Sequence, residues 1–557
     1  MTDPTAREPL TMIRLAGTQA EMGAQHGRLV AADAARLLAF YRSLPERALA
    51  GDMRGAAGAV GRTLVRTVAT TWQARLQRER PAELAARSRA FVDAVRAAEP
   101  SVGSRRDGLL AMAAMDALQN CVSLVARARL GPFGSPLAAR AAAAAAPACS
   151  TAIAWGDATD DGELLFARNF DFPGIGVWDV APAFVVCAPA PRVTDSRGAA
   201  SRGGAGGQRY GFFATRGADT PVVTVVNEAG LVLAPHTRWH RGVSFGGAMI
   251  VDFVHDIARR AETLADAIAI AREHPPSSSW GLAIGSAREK TALVLEAAGR
   301  ALEIVRPAPG ASFLVCTNRY RSAALQDGQV AASPAWAIHS DRRERRLRAL
   351  VEARTKPLDA ATLARFLGDR VDPDAPETGA RRLGSMLAQP TNVHAAVVAP
   401  SRRRALVGVD RAPSCEGTWA ELAWSWDGPT GAWQLGDDAA ARAGFEARER
   451  TDIAAPHDAA TRHVQAAARA YESDHDVATA RVEIERAVAI DPDDPSLRLA
   501  AAWLALADGA HDRAREHAHA GLAHETEGYR REQLQAAASW PRGKRAHVNL
   551  MMTDAYA

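Results

Sequence analysis

Ala148-Cys149-Ser150-Thr151, followed by Gly162-Glu163-Leu164-Leu165-Phe166-Ala167-Arg168-Asn169-Phe170-Asp171-Phe172, is the stretch on which the reading of this chain turns. It sets a cysteine down after an alanine-rich leader, where the sequence changes to short β-branched and aromatic runs separated by turn residues. Gly162 reads as a hairpin turn, and strands on either side of it bring Cys149 and Arg168 to the same end of a sheet. A free thiol with a pKa of about 8.5 is little ionised near neutral pH, so a catalytic cysteine needs a base or a cation beside it. Arg168 offers the cation, and Asp171 a group to orient a base. Cleavage of the peptide bond before Cys149 would add an α-amino group of pKa about 8 on the nucleophile itself. The plainer reading of the same residues is a buried Arg168–Asp171 ion pair beside an ordinary core thiol.

Toward the N-terminus, residues from about Thr11 to Leu130 read as helical, with apolar residues at helical spacing over Val30 to Leu44 and Pro81 to Ala97. Gly17 to Gly27 reads as the start of a packed helix. Leu137 to Ala146 is nearly pure alanine, and Pro147 ends the leader. Toward the C-terminus, strands are expected at Ser150 to Trp155, Leu164 to Phe170, Ala183 to Cys187, Tyr210 to Ala214 and Val222 to Val226. A Pro-, Gly- and Arg-rich loop lies between Ala188 and Gln208. Helices over Gly246 to Ala261 and Leu264 to Glu273 precede strands at Gly281 to Ser286, Ala292 to Glu296, Leu302 to Val305 and Phe313 to Cys316. Helices return at Asp341 to Ala353 and Ala360 to Leu367, and strands at His394 to Ala399, Ala405 to Val409 and Trp419 to Trp426 close this part near residue 440. Strands, central helices and strands again predict sheets sandwiched with helices, not alternating βαβ units. Beyond residue 455, Ala468, Tyr471, Ala480, Ile484, Ala487 and Pro492 follow a helix-turn-helix repeat register. Ala514 falls 34 residues after Ala480, the tetratricopeptide period.

The bulk composition narrows the function classes. In 557 residues, 67 basic against 63 acidic side chains leave a net charge of only +4, which carries no nucleic-acid footprint. The N-terminus lacks the apolar region of a secretion signal, and no run of about 18 apolar residues follows, so a cytoplasmic protein without membrane contact is expected. Cys121, Cys149, Cys187, Cys316 and Cys415 are scattered without metal-type spacing, which argues against a disulfide framework or a zinc site. No phosphate-binding glycine loop is present, and no cofactor is expected.

Further motifs extend the cysteine cluster: Val226-Asn227-Glu-Ala-Gly230-Leu231, Thr317-Asn318-Arg-Tyr, and Ser340-Asp-Arg-Arg343 followed by Leu347. Together with Cys149-Ser-Thr, the Gly162 turn and Arg168-Asn-Phe-Asp171, this set resembles the acyltransferase branch of the N-terminal nucleophile hydrolases, the family of isopenicillin N acyltransferase. It is more distantly similar to choloylglycine hydrolases and penicillin V acylases. The resemblance spans roughly residues 12 to 425, with the motifs in family order.

The resemblance implies a mixed α/β, four-layer αββα sandwich over residues 149–440 with a helical leader over 1–148 packed on it; the small all-α repeat region over 455–540 lies outside the resemblance and rests on its repeat register alone. It implies that Cys149 is a nucleophile released by self-cleavage after Ala148, that Asp171 holds its amino group, and that Arg168 sits beside the thiolate. Asn227 and Asn318 would donate amide hydrogens to the oxyanion, and Arg343 would be a second cation, with Arg342 nearly as good a match. The expected substrate is a small-molecule acyl amide or N-acyl compound, cleaved or transferred through a thioester. The family usually carries Gly before the nucleophile, where this chain has Pro147-Ala148. Two other readings stand beside this one. Gly242-Val-Ser244-Phe-Gly246 fits a serine-hydrolase nucleophile elbow, though His236 to Arg241 is too polar for the buried strand an elbow needs. Alternatively, an inactive domain would serve a repeat module that binds a protein partner or self-associates.

Overall fold

The computed structural model describes residues 9–50, 55–128, 148–190, 207–242, 244, 246–330, 334–374, 381–453, 458–472, 474–549 and 554–556. The alanine run before Pro147 and most of the Ala188 to Gln208 loop lie outside them. The chain starts with β1 (Thr11–Gly17), then α1 (Gln19–Leu29), α2 (Ala31–Ala50), α3 (Gly55–Arg78), α4 (Ala82–Ala98), α5 (Arg105–Met112) and α6 (Ala114–Ala128). After Cys149 come β2 (Ser150–Gly156), β3 (Gly162–Asp171), β4 (Pro182–Pro189), β5 (Tyr210–Thr215), β6 (Thr224–Asn227), β7 (Leu231–Thr237), α7 (Ile250–Arg260) and α8 (Leu264–Glu273). β8 (Trp280–Ser286), β9 (Thr291–Ala298), β10 (Ala301–Val305) and β11 (Phe313–Cys316) lead to α9 (Pro334–Glu352) and α10 (Ala360–Leu367). β12 (Asn392–Ala399), β13 (Arg404–Gly408), β14 (Trp419–Trp424), β15 (Gly431–Gln434) and β16 (Phe445–Arg450) follow. The C-terminal helices are α11 (Ala459–Glu472), α12 (Val477–Ile490), α13 (Pro495–Asp508), α14 (His511–His524) and α15 (Gly528–Ala538).

The strands form a nine-stranded sheet, β10-β9-β8-β7-β6-β5-β4-β1-β15, and a seven-stranded sheet, β11-β2-β3-β12-β13-β14-β16. Successive strand residues point to opposite faces, and here both faces are apolar. Ile153, Leu164, Phe166, Ala396 and Val398 meet Phe184, Phe213, Val226, Val232 and Val294 of the larger sheet. The alternate residues Ala152, Leu165, Ala167, Ala395 and Val397 pack outward on Leu347, Val351, Leu363 and Leu367 of α9 and α10. On the far face of the larger sheet, Val185, Phe212, Leu233 and Leu282 pack against Met22, Phe91, Val254 and Ile257 of α1, α4 and α7. The order of layers is helix, sheet, sheet, helix: an αββα sandwich.

The leader differs from the helical expectation at its start. Thr11–Gly17 is a strand, parallel to β4 and antiparallel to β15. Met12 faces the inter-sheet core while Ile13 and Leu15 face the helices. A strand buried on both faces loses its polar alternation, so periodicity could not distinguish it from a helix. Thr18 and Glu21 then form a capping box that starts α1. Gly23 and Gly27 let α1 approach α4 so closely that a Cβ at either position would strike the backbone of Arg87 or Phe91. At the other end the smaller sheet does not stop at residue 440, because β16 pairs with β14 as far as Arg450. The C-terminal helices pack each on the next, bury Trp503 and leave Tyr471 half-buried, and dock on the segment around residues 370–390 and on α9. Among the described residues no helix is long and apolar enough to cross a membrane.

Candidate active site

Cys149 lies at the start of β2, paired beside β3 in a register that sets Thr151 opposite Arg168 and Ser150 opposite Asn169. The Ala148 N–H donates to the Asp171 carbonyl at 3.0 Å, so the pairing runs on through the Ala148–Cys149 bond. Cys149 is only 1% exposed. Arg168 donates from Nη2 to Cys149 Sγ at 3.3 Å and to the Pro235 carbonyl at 2.6 Å. Its Nη1 donates to His236 Nε2 at 2.8 Å, and the Thr151 hydroxyl lies 2.9 Å from the same ring nitrogen. Burial raises the Cys149 thiol pKa, Arg168 opposes the rise, Asp171 adds to it and Arg343 opposes it again. Burial, reinforced by Arg168, holds His236 neutral far below the usual imidazole range.

Arg343, on α9, reaches the same peptide from the outer face of the sheet. Its Nη1 donates to the carbonyls of Ala148 and Cys149 and to Ser150 Oγ, each at 2.8 Å, and its Nη2 donates to Asn318 Oδ1 at 3.0 Å. Asn318 in turn donates from Nδ2 to the Thr237 carbonyl at 3.0 Å. Arg342 points away from the cluster, toward Asp374 and Glu527, so Arg343 is the arginine at the cysteine. Asp171 accepts at Oδ1 from Asn392 Nδ2, 2.8 Å away, while its buried Oδ2 has no hydrogen-bond partner among the described residues. Burial pushes the Asp171 carboxyl up to about 7, against the opposing charges of Arg343 and Arg168.

Asn227 is not part of this cluster, contrary to its expected role at the oxyanion. Both its amide hydrogens go to carbonyls at the end of α7, Ala258 at 3.1 Å and Ala261 at 2.8 Å, and its Oδ1 accepts from the Leu231 N–H. It sits at the β6–β7 turn, and five residues of β7 at about 3.3 Å each put it about 17 Å from His236. The side chain closes a turn and caps a helix. The Ser244 hydroxyl donates to the Gly246 carbonyl and accepts from the Gly246 N–H.

Sequence reasoning missed His236, Thr151 and Asn392. His236 carried a signal, a lone imidazole at the end of the apolar run from Leu231 to Pro235. Asn392 carried none, since its meeting with Asp171 depends on the pairing of β12 with β3. Among the described residues no group of three or more His, Cys, Asp and Glu could hold a metal ion.

Beside the cluster opens a narrow pocket with a cavity volume of about 80 Å³. Pro235, Thr237, Phe170 and Phe172 line it on the cysteine side, and Leu38 and Met115 belong to the leader wall. Phe170 and Phe172 stack at 5.3 Å, with Trp178 edge-on to Phe170 at 5.4 Å.

The chain is similar over residues 158–410 to the family described as acyl-coenzyme A:6-aminopenicillanic acid acyl-transferase. That match takes in Arg168, Asp171, Asn318 and Arg343 and starts after Cys149. A Caenorhabditis elegans ortholog of N-acylethanolamine-hydrolyzing acid amidase matches at 14% identity and a TM-score of 0.30, over 45% of this chain and 93% of that one. A mutant of the conjugated bile acid hydrolase from Clostridium perfringens matches at 13% identity and a TM-score of 0.33, over 56% of this chain and 99% of that one. No curated protein sequence matches the chain.

Proposed function

We propose that the protein is an amide hydrolase or acyltransferase that cleaves itself between Ala148 and Cys149 and then works through a thioester on Cys149. The observation that carries this reading is the convergence of two buried arginines on one peptide bond. Arg168 donates to the sulfur of Cys149, and Arg343 donates to the carbonyl oxygen of Ala148. Attack of Sγ on that carbonyl carbon puts negative charge on the oxygen, where Arg343 already donates. Collapse breaks the C–N bond as the proton lost from the thiol passes to the leaving nitrogen, leaving Ala148 as a thioester on Sγ and a free α-amino group on Cys149. Water then hydrolyses the thioester, giving the Ala148 carboxylate and returning the thiol. Asp171, whose Oδ2 has no hydrogen-bond partner among the described residues, is the residue to hold the new amino group.

In the mature enzyme the α-amino group, of pKa about 8, takes the thiol proton and passes it to the leaving amine. The Asn318 amide, with one hydrogen engaged by the Thr237 carbonyl, adds a donor for the oxyanion. Water completes hydrolysis, or a second amine completes transfer. The pocket walls of Leu38, Met115, Phe170, Phe172 and Trp178 favour an apolar acyl group. Similarity to an acyltransferase family over residues 158–410 supports the reaction class.

Intact mass and N-terminal sequencing test the first step, and hydrolysis of phenylacetyl and decanoyl p-nitroanilides the second. Two fragments with a terminus at Cys149, and loss of both cleavage and hydrolysis in Cys149→Ala, are expected. A Cys149→Ala protein that still hydrolyses these anilides would falsify the mechanism.

A further inference from the structure

Arg342 and Arg343 are neighbours on α9 and face opposite ways. Arg343 turns to the Ala148–Cys149 bond, while Arg342 turns to the C-terminal helices, where its Nη2 meets Glu527 Oε1 at 2.7 Å with both side chains 8% exposed. Nε of Arg342 also meets Asp374 Oδ2 at 2.5 Å. Glu527 is itself fixed, since it accepts from the Tyr529 and Arg530 N–H groups at the start of α15. Three residues on, Arg530 joins Asp372 at 2.6 Å and Glu525 at 2.9 Å, all essentially buried. His339, one turn before Arg343 on α9, has no hydrogen-bond partner on either ring nitrogen among the described residues, and burial, helped by the charges of Arg530, Arg342 and Arg343, keeps it neutral.

We infer that the C-terminal helices are a positioning element of the cysteine site: the Arg342–Glu527 pair fixes α9 so that the Arg343 guanidinium stays on the Ala148–Cys149 peptide and beside the thiol. This rests on the reading of Cys149 as the nucleophile. The physical ground is geometric. One nitrogen of Arg343 serves three acceptors at 2.8 Å, an arrangement that tolerates little drift of the helix, and a misplacement of about 1 Å can cost a site about a hundredfold in rate. Buried ion pairs contribute little net stability, but they fix the register of the elements they join. Glu527 and Arg342 are therefore positioning residues; neither touches the cysteine.

The test uses the full chain with Glu527→Gln, Arg342→Gln, the double variant and Arg481→Gln. Gln at 527 keeps an acceptor for the α15 cap. Arg481 pairs with Asp508 at 2.8 Å within the C-terminal helices, remote from α9, and serves as the control. For phenylacetyl p-nitroanilide, kcat is expected to fall about tenfold in each single variant of the pair with KM within about twofold, and the double variant to be no worse than either single. Glu527→Asp restores part of the rate, and Arg481→Gln leaves it unchanged.

A second readout is the pH midpoint of Cys149 alkylation by iodoacetamide, followed by peptide mass spectrometry. The charged groups facing the thiol are Arg168, Asp171 and Arg343, joined in the cut chain by the α-amino group of Cys149 itself, which is common to every variant. If Glu527→Gln lets Arg343 recede, the midpoint rises; an unpaired Arg342 acting through charge alone would lower it. A wild type that hydrolyses no anilide sinks the enzymatic reading and leaves the alkylation midpoint to decide the coupling. An unmoved or lowered midpoint in Glu527→Gln overturns the inference. So does an equal loss in Arg481→Gln, and should Glu527→Gln not fold, Glu527→Asp with the same readouts decides.

Discussion

Among the described residues Asp171 has one oxygen with a hydrogen-bond partner and one without, and its burial disfavours the charged carboxylate. An ordinary aspartate ionises near 4, whereas burial lifts this one to about 7. Between those values the unfolded chain has released the proton and the folded chain still holds it, so stability falls as pH rises from about 4 to about 7 and is level above. In chains kept uncut by Cys149→Ala, urea unfolding should therefore show Asp171→Asn gaining on its parent across that window. A difference that stays constant with pH refutes the assignment. The two asparagines separate by the same reasoning from partners. Asn227→Ala strands the Ala258 and Ala261 carbonyls and the Leu231 N–H, for a loss of about 2 kcal/mol in stability with kcat unchanged. Asn318→Ala removes a partner of Arg343 and the proposed oxyanion donor, and is expected to lower kcat about a hundredfold. Steady-state kinetics beside thermal unfolding distinguish them, and equal kinetic losses would contradict the placement of Asn227.

The hairpin of β2 and β3 was legible because its pairing is local. The Gly162 turn sets the register, and the register sets Thr151 against Arg168. Apart from β7, β15 and β16, the later strands and most helices fall where runs of β-branched residues or helical spacing predict them, within a few residues. β1 was not legible, since burial on both faces erased its alternation, and β7 was hidden by Pro235 and His236 near its end. Their positions have a consequence for processing. β1 lies between β4 and β15 inside the larger sheet, and Arg87 of α4 reaches across to Asp219 at 2.5 Å, where His26 of α1 also bonds at 2.8 Å. A leader cut after Ala148 would leave those contacts intact. The two fragments should co-elute in size exclusion and separate only in denaturant; a leader lost on native purification would contradict this.

At the scale of the whole molecule, the pocket is made jointly. Leu37, Leu38 and Met115 come from the leader, Phe170 and Phe172 from β3 and just beyond it, and Pro235 and Thr237 from β7. Met115→Trp fills part of that space, so KM for decanoyl p-nitroanilide should rise about tenfold while an acetyl anilide is unaffected. Equal effects on both would detach the pocket from the acyl group. Residue type and short-range register were enough to place Cys149, Arg168 and Asp171 on one hairpin and to predict the layered class of the fold. Only the tertiary structure decided between Arg342 and Arg343, removed Asn227 from the site, and brought in His236 and Asn392. Each of those depends on where a side chain points across a contact between distant segments, and local periodicity carries no information about that direction.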